Sequence, residues 1–190
     1  MDLPPSRAKT VTAQPYRDTM NVFQKIYWSR LAKPAGDRPL WNYLIHTPIT
    51  SVLQVGVFDG SQTRNILSLA QRPAGVEVLR FAAVDPFESA AVPANHLRLK
   101  DLHRLCADAG VKTHLIPGEV HNALCRAAMT LLASDLVVVN PDVRNDAAVS
   151  AAVDRWLPRL IHRDSVVFAR DPAGRLEQIA IAAEERRAAA

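Results

Sequence analysis

A β-branched run that ends in glycine, with a second glycine four residues on and a helix opening at once, leaves a chain few folds to adopt. Here it reads Ser51-Val-Leu-Gln-Val-Gly56-Val-Phe-Asp-Gly60-Ser-Gln-Thr63. A second apolar run, Phe81-Ala-Ala-Val-Asp85, ends in a carboxylate 25 residues beyond Gly60. Together they form the grammar of a nucleotide-type ligand site at the first crossover of a parallel sheet. Glycine lets the backbone approach a ligand closely, a helix N-terminus favours an anionic group, and a strand-end carboxylate accepts hydrogen bonds from ribose hydroxyls. Ser61 is the expected N-cap of the helix. The spacing is Gly-x-x-x-Gly and not Gly-x-Gly-x-x-Gly, which points away from NAD and an oxidoreductase.

The rest of the chain continues the alternation. Strands are expected at about 51–56, 79–84, 112–116, 135–139 and 165–169, with helices at about 61–72, 96–109, 120–132 and 145–161. Leu136-Val-Val-Val139 and Ser165-Val-Val-Phe168 are continuous apolar runs, as in a sheet covered on both faces. Five strands separated by helices imply right-handed crossovers and a doubly wound, mainly parallel α/β sheet. In front of it, residues 1–15 hold three prolines and little apolar pattern, and read as a flexible leader. Residues 16–50 read as a helical cap: Met20, Phe23, Ile26, Tyr27 and Leu31 recur at helical spacing, and a shorter helix is expected at 40–45. The α/β domain then occupies 51–190.

Composition narrows the class. Of 190 residues, 48% are hydrophobic and 22% charged, which suits one globular domain with a full core. No apolar run reaches the roughly 18 residues of a membrane span. The start, Met1-Asp-Leu-Pro-Pro-Ser-Arg7, lacks the apolar core of a signal peptide. A cytoplasmic protein is expected, with Cys106 and Cys125 reduced. Residues 1–40 carry seven Lys/Arg against three Asp, while the remaining 150 residues are neutral. These basic residues are dispersed rather than clustered, which argues against nucleic acid as a partner.

With the second half in view, residues 51–171 resemble the class I S-adenosylmethionine-dependent methyltransferases, most closely the small-molecule O-methyltransferases related to catechol and sugar methyltransferases. Their first strand often reads Glu-x-Gly-x-x-x-Gly, and Gln54-Val-Gly56-Val-Phe-Asp-Gly60 keeps the glycines but not the acid. Their ribose-binding acid falls on Asp85, and their Gly-Asp or Gly-Glu beside the adenine on Gly118-Glu119. Their Asp-Leu-Val-Phe-Ile-Asp-Gly-Asp-His is matched by Asp135-Leu-Val-Val-Val-Asn140-Pro-Asp142-Val143. Their Trp-Leu-Pro-x-Leu helix end is Trp156-Leu-Pro-Arg-Leu160, and their closing His-Asp is Arg170-Asp171.

The resemblance implies a Rossmann-like sheet in the order 3-2-1-4-5 and S-adenosylmethionine as cofactor. It implies Gly56, Phe58, Gly60, Asp85, Gly118, Glu119, Asn140 and Asp142 as cofactor-binding residues, and methyl transfer to a small-molecule oxygen or nitrogen. Read from the residues alone, Asp85 could instead cap the loop before Pro86, Glu119 could serve the helix dipole, and Asp142 could be a turn residue after Pro141. His121 reads as a helix residue rather than a base, and no catalytic residue is assigned. A hard cation wants several oxygen ligands, preferably carboxylates. Asn140 and the Asp171-Pro172 pair interrupt such a set, so no metal is expected. The same substitutions support an alternative, a catalytically degenerate binding or structural module.

Nineteen residues follow Asp171, too few for the family's antiparallel sixth and seventh strands. Leu176, Ile179 and Ala183 read instead as one face of a terminal helix. That leaves strand 165–169 as an open apolar edge, and a homodimer through this edge and the terminal helix is expected.

Overall fold

The computed structural model describes residues 21–88, 95–141, 143 and 145–183; the expected leader at 1–15 and Asp142 lie outside them. The chain forms α1 (Val22–Ile26), a π-helical turn (Tyr27–Leu31), a 3-10 turn (Ala35–Asp37), α2 (Arg38–His46) and β1 (Ser51–Val55). Then come α3 (Ser61–Leu69), β2 (Arg80–Asp85), α4 (Leu99–Asp108), β3 (Lys112–Pro117), α5 (Val120–Thr130) and β4 (Ser134–Val139). The chain continues through α6 (Ala147–Trp156), a 3-10 turn (Leu157–Arg159), β5 (Ile161–Arg170) and β6 (Leu176–Ile179).

One six-stranded sheet runs β3-β2-β1-β4-β5-β6. All pairs are parallel except β5 with β6. This is the Rossmann-like, doubly wound order that the alternation of apolar strands and helices calls for. The apolar strand runs are buried because alternate residues feed two different cores. Val52, Phe81, Leu136 and Val138 pack with side chains of α2, α3 and α4 on one face. Leu53, Ala82, Val84, Val137 and Val139 pack with α5 and α6 on the other.

The front helices differ from expectation in their role. α2 buries Leu40, Trp41, Leu44 and Ile45, spaced to line one side of a helix, against the same core as α3. Each such side chain contributes on the order of 1.5–3 kcal/mol on burial. α2 is therefore part of the sheet's covering layer, and Trp28 from the preceding turn packs edge-on against Trp41 with ring centroids 5.9 Å apart. Among the described residues no helix is long and apolar enough to cross a membrane.

The tail corrects the sequence reading. Leu176 to Ile179 is a strand and not a helix, so a sixth strand is present. It pairs antiparallel with β5 from Val167↔Ile179 to Arg170↔Leu176, and the edge of 165–169 expected to be open is covered from within. The cause is the turn between the two strands. Asp171-Pro-Ala-Gly174 has a turn-initiating Asp, a Pro that presets φ, and Gly174 at φ +78°. Asp171 O accepts from Gly174 N, and the Asp171 carboxylate accepts from Arg175 N at 2.7 Å. This hairpin returns the chain along β5 and buries Leu176 completely.

Candidate functional site

The carboxyl ends of β1, β2 and β4 meet where the parallel sheet reverses direction, which is where ligands bind in open α/β folds. Gly56 and Gly60 lie here at φ +80° and +75°. A Cβ on Gly56 would come within 2.9 Å of Pro141 Cδ, so the strand-end approach needs glycine. Gly60, not Ser61, is the N-cap residue of α3. Ser61 opens the helix, and its hydroxyl donates to Asp59 at 2.7 Å instead. Phe58 holds φ +54°, a left-handed conformation costly for a side chain of its size, and its ring is partly exposed.

Asp85 stands at the end of β2 as expected, but its carboxylate is engaged by the chain itself. One oxygen accepts from Val57 N at 2.6 Å; the other accepts from Phe87 N at 2.7 Å and lies 2.5 Å from His96 Nε2. The residue is only 1% exposed. His96 faces Phe58 edge-on at 6.2 Å, and Leu97 N donates to Phe58 O at 2.6 Å. The Leu97 side chain covers Gly60: a Cβ there would meet Leu97 Cδ2 at 2.5 Å. Residues 96 and 97 thus occupy the approach to both the acid and the second glycine. The sequence offered no metal-type spacing around His96, and its pairing with Asp85 was not foreseen.

Asn140 sits at the end of β4 inside a continuous polar network. Its amide nitrogen donates to Gly56 O at 2.7 Å and to Gln62 Oε1 at 2.6 Å, and its Oδ1 accepts from Arg170 at 2.9 Å. Arg170 also donates to Asp37 Oδ1 at 3.0 Å and to Gly174 O at 2.7 Å. Gln62 donates to the other Asp37 oxygen at 3.0 Å. Gln54 donates to Gln62 Oε1 at 3.0 Å and accepts from the Thr63 hydroxyl at 2.8 Å. The side-chain amide donors and acceptors here are all paired, the condition under which a buried polar network stabilises a fold. Gln54, Asn140 and Arg170, three of the departures from the pattern that the sequence resembles, are therefore connected to one another. Asp37 and Gln62 carry no signal of their own in the sequence; the signal is that amides and an arginine stand at Gln54, Asn140 and Arg170, where the resembled pattern has two acids and a histidine.

On the β3 side, Gly118 holds φ +133°, and Arg126 folds back to donate to Pro117 O. Glu119 is the exposed residue before α5, and its side chain caps no helix amide. His121 is exposed and lies edge-on to Trp156 with centroids 6.0 Å apart, away from Asp85 and Asn140 in its contacts. Among the described residues no group of three or more His, Cys, Asp or Glu is arranged to hold a metal. For S-adenosylmethionine the fit is partial. Glycines and a helix start are in place, but the Asp85 carboxylate, the expected ribose acceptor, is already hydrogen-bonded and covered.

No protein-family model and no curated protein matches this sequence. Solved structures share its fold. The O-methyltransferase TomG from Streptomyces achromogenes, involved in tomaymycin synthesis and solved in complex with S-adenosylmethionine, is 17% identical with a TM-score of 0.50 over 74% of this chain and 56% of its own. A methyltransferase from Geobacter sulfurreducens is 18% identical with a TM-score of 0.45, over 70% of this chain and 57% of its own. An O-methyltransferase family protein from Burkholderia thailandensis is 11% identical with a TM-score of 0.45, over 70% of this chain and 37% of its own. The chain spans between 34% and 57% of the length of such neighbours. The fold is the Rossmann-like one that TomG also has.

Proposed function

We propose that this chain is a methyltransferase-fold binding or structural module in which the former cofactor end of the sheet has become internal packing. One observation carries the reading. The Asp85 carboxylate, with about four acceptor positions, already serves two backbone amides and His96 while 1% exposed. A ribose diol would have to displace His96 and move Leu97 off Gly60. The inward use of Asn140 and Arg170 supports the same conclusion, since neither is turned toward a ligand. A cytoplasmic setting belongs to this reading, supported by Cys106 and Cys125 standing as free thiols.

The test is calorimetric titration of the full chain with S-adenosylmethionine, S-adenosylhomocysteine and NAD. No saturable heat at millimolar ligand is expected. A dissociation constant in the micromolar range that Asp85→Ala weakens tenfold or more would overturn the reading.

The second reading is an S-adenosylmethionine-dependent methyltransferase acting on a small-molecule oxygen or nitrogen. It is favoured by the positive-φ glycines at the β1–α3 junction and by the fold shared with TomG. The cofactor would supply an intrinsically electrophilic methyl group, leaving the protein to provide alignment and exclusion of water. Gly56, Gly60 and the start of α3 would hold it, with Asp85 released from His96. Any activity found should survive exhaustive chelation, because Asn140 donates both amide hydrogens inward where a ligand carboxylate would stand.

A further inference from the structure

A concavity lies at the opposite end of the sheet, where β1, β2 and β3 begin and α5 ends. Its volume is about 230 Å³, room for roughly seven or eight water-sized groups at about 30 Å³ each. Arg80, Lys112 and His114 line it together with the hydroxyl residues Ser51, Thr130 and Ser134, and no acidic side chain does. The sheet register explains the cluster. Arg80 pairs with Lys112 and Ala82 with His114, and strand residues two apart share a face. Three basic side chains therefore stand around the small Ala82, whose methyl leaves the space open.

Only one of the three side chains has a partner within the protein among the described residues. Arg80 reaches Ala133 O, just beyond the end of α5, through a single long bond of 3.4 Å. That leaves most of its five N–H donors open. Among the described residues neither the Lys112 nor the His114 side chain has an ion pair or hydrogen-bond partner. Leu131 and Leu132 supply an apolar lining beside these cations.

We propose that this cavity binds a phosphate group, free or as a small phosphomonoester. The dianion and its acceptor oxygens match a guanidinium, an ammonium and the serine hydroxyls beside them, while the Thr130 hydroxyl already donates to Arg126 O; the apolar lining suits the carbon part of an ester. The site is independent of the glycine end of the sheet, so its test stands whether or not S-adenosylhomocysteine binds.

The experiment is calorimetric titration of the full chain with inorganic phosphate and, separately, phenyl phosphate, at low salt and again at about 0.15 M salt, where the screening length is about 8 Å. Saturable one-to-one binding is expected, weakened about tenfold or more by Arg80→Gln and by Lys112→Gln and unchanged by Arg64→Gln on the exposed face of α3. Lys112 is exposed, so its variant should fold, and circular dichroism checks both. Tighter phenyl phosphate than inorganic phosphate assigns the ester; equal affinity assigns the phosphate group alone. No saturable binding, equal weakening by all three variants, or binding abolished by salt alone would overturn the proposal.

Discussion

Asp37 and Arg170, 133 residues apart in sequence, form an ion pair at 3.0 Å that joins the turn before α2 to the end of β5. The Asp37 side chain is 2% exposed and that of Arg170 22%. The pair is embedded, since Gln62 holds the second Asp37 oxygen and Asn140 and Gly174 hold the guanidinium. Removing one partner from a buried pair costs about 3–5 kcal/mol when the other charge stays desolvated. Arg170→Ala strands the more buried carboxylate, whereas Asp37→Ala leaves an arginine that water can reach. Urea denaturation should therefore show Arg170→Ala to be the more damaging, by about 3 kcal/mol, with Asp37→Ala below it. An equal or reversed order would mean that the network does not share the charge as its geometry implies.

A carboxylate in place of Asn140 at the end of β4 should destabilise this protein. Asn140→Asp replaces the N–H donors with a carboxylate oxygen facing Gly56 O and Gln62 Oε1, both of which lose Asn140 but keep Gln54 as a donor. The new buried oxygen is the group left without a donor, which costs about 1–3 kcal/mol, and a loss of that order at neutral pH is expected by chemical denaturation. Wild-type stability in this variant would show that the site tolerates a carboxylate there.

At the other end of β4, Asp135 gives the fold a defined acid sensitivity. Burial pushes its carboxyl up, but the Thr50 hydroxyl and amide and His162 together outweigh that and hold it below the ordinary aspartate value. The Thr50 contacts are at 2.6 and 2.7 Å, and His162 Nε2 lies at 3.0 Å. A depressed carboxyl stabilises the fold above the unfolded-state value near 3.9, and that contribution is lost as the pH falls through the lower folded-state value. Stability measured between about pH 5 and 2 should fall less steeply in Asp135→Asn than in the wild type. Parallel curves would remove Asp135 from the acid transition.

β6 should be required for a solution-stable sheet. Leu176 is fully buried, and Leu176→Ala should cost about 2–5 kcal/mol in denaturation. Deleting residues 173–190 would also unpair the outer edge of β5, exposing backbone groups beside Val167 and Ala169. Light scattering should then report association beyond the 20.9 kDa chain in the truncated form relative to the intact one. Identical scattering from both would mean that β6 does not protect the edge.

The parallel frame was legible in the sequence because each cue was local. Apolar runs such as Leu136 to Val139 can only be central strands when helices separate them, and Gly56, Gly60 and Asp85 mark strand ends whatever they contact. The tail was misread because Leu176 and Ile179 satisfy helical spacing, while the decisive Asp171-Pro-Ala-Gly174 turn lay just before them. What Asp85, Asn140 and Arg170 do was decided by tertiary structure alone. A hydrogen bond depends on which groups arrive within 3 Å, and His96, Asp37 and Gln62 are brought there by elements distant in sequence. Sequence spacing fixed where the ends of the strands lie; only packing determined that those ends face one another.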